Sequence, residues 1–395
     1  MAEPDNGPSG FSSSLQQPAP AELIPGTSGW RVWVASWAHS FFKTPQNPDI
    51  AATIGKAVHP TTITPWSVAD YSKYLSAIGL RDAGKIAALN QVLNALERAG
   101  FLMPCGPEPN MPAFMAQRYM TQGGASPGQV GGTLWLSQLF GAELIIPSYN
   151  GVTVQISGTD TAGRARSGTG LVLDHWHIVT NKHVAAGLAP NAPIAVSPAN
   201  VDANAHQVSC QCTGVAHREI DVAIIKCELP DGVGIPRLAG MAFRDPEWAD
   251  EVYLFGYPHV PMIAGDVITV QRGEVVNPSA ETPAVGGLPR QNTFLYSAIA
   301  RPGNSGGPIV AQDGRVIGLV VEDSSTAARA HAPGYEPPAP ETPEERLAHL
   351  EAEVDELTAK TFAPSFYRGI PSSEVIRALN DLGFGGLASL DGPQP

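Results

Sequence analysis

Two kinds of hydrophobic periodicity divide this chain. From about Trp30 to Tyr119 the pattern is helical. Ser67-Val-Ala-Asp70 has the Ser/Thr-x-x-Asp/Glu form of a helix start and leads into Tyr71, Tyr74, Leu75 and Ile78. A second helix is expected from Asp82 to Ala99, with Ile86, Leu89, Val92, Leu93 and Leu96 on one stripe and Gly100 as its stop. Beyond Leu144 the pattern becomes one of short β-type runs: Val152–Ser157, Gly170–Leu173, His177–Thr180, Val222–Lys226, Val252–Gly256, Val267–Val270, Thr293–Ser297, Ile309–Val310 and Val316–Val321. Many short strands with Gly and Pro between them fit barrels or sandwiches.

The remaining segments predict the domain plan. Residues 1–25, rich in Pro, Ser, Gly and Ala, read as a disordered tail, and 26–125 as a small helical domain. The Gly- and Pro-rich stretch Met103–Gly132 reads as a connector, so 126–143 is expected to be a linker. A β domain then covers 144–384, with 385–395 as a tail. It is interrupted at 324–363, where an Ala/Pro-rich stretch precedes an acidic helix at 343–360 carrying Leu347, Leu350, Val354 and Leu357. Ser365–Ile370 resumes the domain, and Pro371–Leu382 is expected as a terminal helix with Ser372 or Ser373 as its N-cap.

Composition narrows the function classes. The net charge of −13 argues against nucleic-acid or anionic-membrane partners. The N-terminus has no basic region followed by an apolar run, so no signal peptide is expected, and no apolar stretch approaches a membrane span. Four cysteines in 395 residues are too few for a disulfide framework and point to a reducing cytoplasm. Cys210-Gln-Cys212 with Cys227 lacks the usual spacing of a zinc site and reads as buried thiols. No phosphate loop or zinc-helix motif is present, and no cofactor is expected.

Peptide hydrolysis needs a nucleophile, a base, a group that orients the base, and donors for the oxyanion. Ser305 lies in Pro302-Gly-Asn-Ser-Gly-Gly-Pro308, where glycines permit a sharp backbone and place the Gly303 and Ser305 N–H groups as candidate oxyanion donors. His183 ends His177-Ile-Val-Thr-Asn-Lys-His183, and Asp221 opens the apolar strand Asp221-Val-Ala-Ile-Ile-Lys226. A serine turn, a histidine at a strand end or an aspartate before a strand is unremarkable alone. The three in this order and these contexts favour catalysis.

Thr180-Asn-Lys-His183, Asp221-Val-Ala-Ile-Ile-Lys226 and Gly303-Asn-Ser-Gly-Gly-Pro308 resemble the three signature blocks of trypsin-like serine peptidases, most closely the bacterial intracellular and HtrA-like branches. The resemblance covers roughly Leu144 to Leu382. It implies a mainly β, chymotrypsin-like double β-barrel behind the helical domain, with the active site between the barrels. It also implies a serine endopeptidase with His183, Asp221 and Ser305 as triad. Asn304 departs from the aspartate with which digestive enzymes receive a newly cut N-terminus, and no cysteine flanks His183. The resemblance also puts Ile299 where basic-specific members carry an aspartate, a position that would not attract a cation here. It implies that Val321, Glu322 and Asp323 line the substrate channel, so a preference for basic residues near the cleavage site is expected. An activating or recruiting protein is expected to engage the helical domain or the 343–360 helix, as in bacterial stress or defence effectors. The alternative is a catalytically silent peptide-binding module on the same fold.

Overall fold

The computed structural model describes residues 22–59, 62–188, 193–198, 208–228, 235–260, 262–263, 267–282, 290–321 and 366–391. The expected insertion 324–363 with its acidic helix lies outside the described residues, as do residues 1–21 and 392–395.

The helical stripes fold as α1 (Ser28–Phe41), α2 (Pro48–Ile54), α3 (Val68–Ala77), α4 (Ile86–Arg98) and the short α5 (Ala113–Ala116). The capping box at the start of α3 forms as expected: the Ser67 hydroxyl accepts from the Asp70 N–H, and the Asp70 carboxylate accepts from the Ser67 N–H at 2.9 Å. Trp30, Phe41, Tyr71 and Leu93 close a core of their own. The helical region also contains a sheet. Strands β1 (Trp66–Ser67), β2 (Leu102–Pro107) and β3 (Gln117–Thr121) pair in the order β1-β3-β2. This corrects the connector reading of Met103–Gly132. Pro104 and Pro107 hid a strand that tolerates them because β2 is an edge, where a missing N–H breaks fewer ladder bonds.

The expected linker 126–143 and the described part of the expected tail, 385–391, are packed segments. Leu134 enters the core of the β region while Trp135 and Leu136 enter the helical core, so the connection is pinned on both sides. Helices α6 (Ser137–Phe140) and α7 (Ala142–Asn150) follow, and the Tyr149 hydroxyl of α7 donates to the Gly314 carbonyl at 2.9 Å. The Asp391 carboxylate accepts from the Ser126 hydroxyl, from the Gly128 N–H at 2.8 Å and from Arg315 Nε at 3.0 Å. Leu23, within the expected N-terminal tail, is buried in the helical core.

Two closed six-stranded antiparallel barrels form the β region. The first runs β4 (Thr153–Thr159), β5 (Ala165–Val172), β6 (His177–Thr180), β7 (Pro193–Pro198), β8 (Val208–Ala216) and β9 (Ala223–Glu228), closed in the order β4-β5-β6-β9-β8-β7. The second comprises β10 (Glu251–Gly256), β11 (Thr269–Thr282), β12 (Gln291–Tyr296), β13 (Pro308–Ala311), β14 (Val316–Val321) and β15 (Tyr367–Pro371), in the order β10-β11-β12-β15-β14-β13. Every expected β-type run falls within or overlaps one of these strands. Closure leaves neither sheet an open edge. Helix α8 (Lys182–Ala186) leaves β6, and α9 (Ser372–Asp381) ends the second barrel. The N-cap of α9 is Pro371: the Ser372 hydroxyl instead donates to the Val316 carbonyl at 2.8 Å, and the Ser373 N–H donates to Asp245 at 2.8 Å. Among the described residues no helix is long and apolar enough to cross a membrane.

Candidate active site

Three loops bring His183, Asp221 and the Gly303–Ser305 segment together. His183 lies in the single turn of α8, which follows β6 directly. Its ring Nδ1 is 2.7 Å from Oδ2 of Asp221, and its backbone N–H donates to Oδ1 of the same carboxylate at 3.0 Å. A carboxylate only accepts, so Nδ1 carries the hydrogen and the other ring nitrogen is left as a base. Asp221 precedes β9, which pairs with β6 from His177–Lys226 to Thr180–Ala223. This pairing sets the histidine and aspartate side by side. Buried Asn181 adds a cross-link, donating Nδ2 to the Asp221 carbonyl at 3.0 Å.

The nucleophile loop needs its glycines. Gly303 has φ +100°, and a Cβ there would lie 2.4 Å from the Tyr257 carbonyl; Gly306 has φ +83°, with the Thr180 hydroxyl 2.2 Å from such a carbon. Two hydrogen bonds orient the Pro302–Gly303 and Asn304–Ser305 peptides of this loop. The Pro302 carbonyl accepts from the His259 N–H at 3.3 Å, and the Asn304 carbonyl accepts from the Gly307 N–H at 2.9 Å. In a trans peptide the C=O and N–H point in opposite directions, so these bonds turn the Gly303 and Ser305 N–H groups to the other side of the loop. Among the described residues neither N–H has an acceptor. Asn304 is buried with no hydrogen-bond partner for its amide among the described residues.

Thr169 of β5 holds this loop from the first barrel. Its N–H donates to the Ser305 carbonyl at 2.9 Å, and its hydroxyl donates to the Gly303 carbonyl at 2.7 Å while accepting from the Tyr257 N–H at 3.0 Å. The Thr169 carbonyl accepts from the Thr180 hydroxyl at 2.7 Å. Sequence reasoning missed Thr169: only Gly168 and Gly170 on either side mark a backbone in close contact. His259 contributes to the loop through its backbone N–H.

A cavity of about 460 Å³ opens beside the site, lined by His183, Gly303 and Ser305 together with Asp160, Arg166 and Leu188. Asp160 organises the β4–β5 turn at its rim. Its carboxylate accepts from the N–H groups of Ala162 and Arg164, each at 2.9 Å, and from the Arg166 guanidinium at 3.2 Å. The Arg164 N–H foremost, with the Ala162 N–H and the Arg164 guanidinium, holds its pKa down to about 2.

Two of the expected channel residues, Ile299 and Val321, do not line this cavity. Ile299 is exposed between β12 and the nucleophile loop, outside this cavity. Val321 ends β14, whose Val320 carbonyl accepts from the Gly306 N–H at 3.1 Å. Glu322 and Asp323 lie outside the described residues, as do the side chains of Cys210 and Cys212.

Residues 168–319 match the family model of the trypsin-like peptidase domain. This span holds all three candidate residues, and the chain carries a trypsin-like serine peptidase domain. No curated protein matches the chain. Solved structures similar to it include the active form of the Rv3671c protease from M. tuberculosis, at 17% identity over 63% of this chain and 87% of that one, with a TM-score of 0.42. Another is the serine endoprotease from Yersinia pestis, at 18% identity over 61% of this chain and 66% of that one, with a TM-score of 0.38.

Proposed function

We propose that this chain is a serine endopeptidase that cuts protein substrates through an acyl-enzyme, with His183, Asp221 and Ser305 as its triad. The observation that carries the reading is the two-point hold of Asp221 on His183, at Nδ1 and at the backbone N–H, beside a loop that presents Ser305 on the same cavity. In this mechanism His183 removes the proton from the Ser305 hydroxyl as its oxygen attacks the scissile carbonyl. The negative charge that develops on the carbonyl oxygen is received by the Gly303 and Ser305 N–H groups. Asp221 stabilises the imidazolium, which then protonates the leaving amine. Water, deprotonated by His183, attacks the acyl-enzyme and releases the second product. The orientation of the Gly303 and Ser305 N–H groups favours an oxyanion site formed without a partner, and favours an enzyme over a silent binding module.

Finer parts of the reading rest on the sequence. A preference for basic residues depends on Glu322 and Asp323, and a peptide-library profile with an acidic or large apolar preference would sink it. Work in the cytoplasm is proposed from the cysteine usage, and a role as a bacterial effector, recruited or triggered through residues 26–125 or the 343–360 helix, from domain order. Unchanged kinetics and oligomeric state after deletion of 327–361 would count against a role for that helix. The first test of the function is fluorophosphonate labelling of the purified chain with Ser305→Ala as control. Labelling of wild type alone supports the activated serine, and equal labelling of both rejects it.

A further inference from the structure

The turn that delivers Asp221 is braced from the opposite barrel, through a histidine with no place in the mechanism above. The His217 N–H donates to the Val222 carbonyl at 2.9 Å and closes the connection from β8 to β9. Within that turn, Nδ1 of the His217 ring lies 2.9 Å from the Ile220 nitrogen and 3.2 Å from the Glu219 nitrogen. A backbone N–H can only donate, so Nδ1 accepts and the ring hydrogen sits on Nε2. Nε2 is 3.2 Å from Oδ2 of Asp381, the last residue of α9. The ring is buried, at 11% side-chain exposure, so its nitrogens have little access to water as a substitute partner.

Other groups grip the same turn. Gln291, the first residue of β12, donates Nε2 to the Glu219 carbonyl at 2.7 Å. Lys182, next to His183, donates Nζ to the Arg218 carbonyl at 2.8 Å. Every peptide from 218 to 221 therefore has a specific partner, and Asp381 and Gln291 belong to the second barrel, which also carries Ser305. Such bracing matters because Asp221 must meet two His183 groups at once, and a small displacement of its backbone lengthens both bonds.

We propose that His217 is a positioning residue for the Asp221 carboxylate, acting as the acceptor that fixes the 219–220 turn and tying it through Asp381 to the second barrel. Its kinetic consequence rests on the peptidase reading above; its structural consequence does not. A histidine that merely fills the turn would tolerate any substitute that keeps the chain folded. The proposed role demands an acceptor at one place. An Asn Oδ1 stands where Nδ1 does, one bond from Cγ, whereas a Gln amide reaches the Nε2 position and leaves the turn without its acceptor.

The experiment compares wild type, His217→Asn, His217→Gln and Asp381→Leu in the full chain. The first readout is the far-downfield ¹H NMR line of the proton that His183 shares with Asp221. The second is kcat and KM on a cleaved peptide, with unfolding midpoints recorded alongside. The line should persist in His217→Asn and shift or broaden in His217→Gln, with Asp381→Leu between them. In His217→Gln kcat should fall about 10- to 100-fold at constant KM, and His217→Asn should stay within about threefold of wild type. An unchanged line and unchanged kcat in His217→Gln would overturn the proposal. So would equal losses in the Asn and Gln variants that track the unfolding midpoint. If wild type cleaves nothing while the line follows the expected pattern, the peptidase reading fails and the positioning role stands.

Discussion

Thr169→Val isolates what one buried hydroxyl does for the nucleophile loop. Valine keeps nearly the same volume, so no cavity opens and the β5 backbone bond to the Ser305 carbonyl is retained. Two partners lose their bond: the Gly303 carbonyl, at 2.7 Å, and the Tyr257 N–H, at 3.0 Å. Thr169 is fully buried, so water is poorly placed to replace the hydroxyl. Leaving a buried polar group unpaired costs about 1–3 kcal/mol, and two of them about 2–6 kcal/mol. Thr169→Ser keeps the oxygen and loses a methyl group, at about 1 kcal/mol. Urea unfolding of the two variants against wild type measures the difference, and the second-order rate of fluorophosphonate labelling reports on the loop. Valine should be the less stable by at least about 1 kcal/mol and the slower to label. A valine variant as stable as the serine variant would refute the reasoning, because the hydroxyl would then carry no net hydrogen-bond energy.

Three further outcomes are expected. Asp221→Asn should lower kcat by about 10⁴-fold with the fold intact, since an amide can stabilise neither the required tautomer nor the imidazolium; steady-state kinetics with a circular-dichroism control checks it. Gly303→Ala places a carbon 2.4 Å from the Tyr257 carbonyl at φ +100°, so the loop must move and kcat should fall about 10²- to 10³-fold, the loss typical of one oxyanion donor. For Asp391, burial works to raise the pKa, but the Ser126 hydroxyl, Arg315 and the Gly128 N–H overcome it and hold the carboxyl below its ordinary 3.8. With a lowered folded pKa its stabilisation is complete above 3.8 and is lost as pH falls through the folded value. Amide exchange at Gly128 should therefore quicken more between pH 5 and pH 3 than intrinsic exchange accounts for, and Asp391→Asn should remove that extra step.

The candidate site divides by the range of its interactions. The Gly303–Pro308 block is legible in sequence because its requirements are local: positive φ at Gly303 and Gly306 and no room for a Cβ are properties of consecutive residues. The capping box at Ser67 and the stop at Gly100, with φ +78°, are legible for the same reason. Apolar runs mark strands where burial is strong, as in the Ala223–Glu228 strand. Residues 193–198 and 208–216 escaped because their patterns lack that contrast, and the Pro-bearing 102–107 strand escaped because an edge excuses its prolines.

Contacts between distant segments have no such local signature. Nothing near Thr169 in the chain indicates that its hydroxyl meets Gly303, 134 residues away, nor does His217 announce Asp381, 164 residues away. The same holds for Asp391, whose tail packs against residues 126–128 only because Arg315 and Ser126 converge there. Thus the sequence by itself determined the chemical class of the site and most of its strands, since backbone strain and hydrophobic period are short-range demands. The tertiary structure alone decided how the loops are held in register, because hydrogen bonds between barrels depend on which residues closure brings face to face.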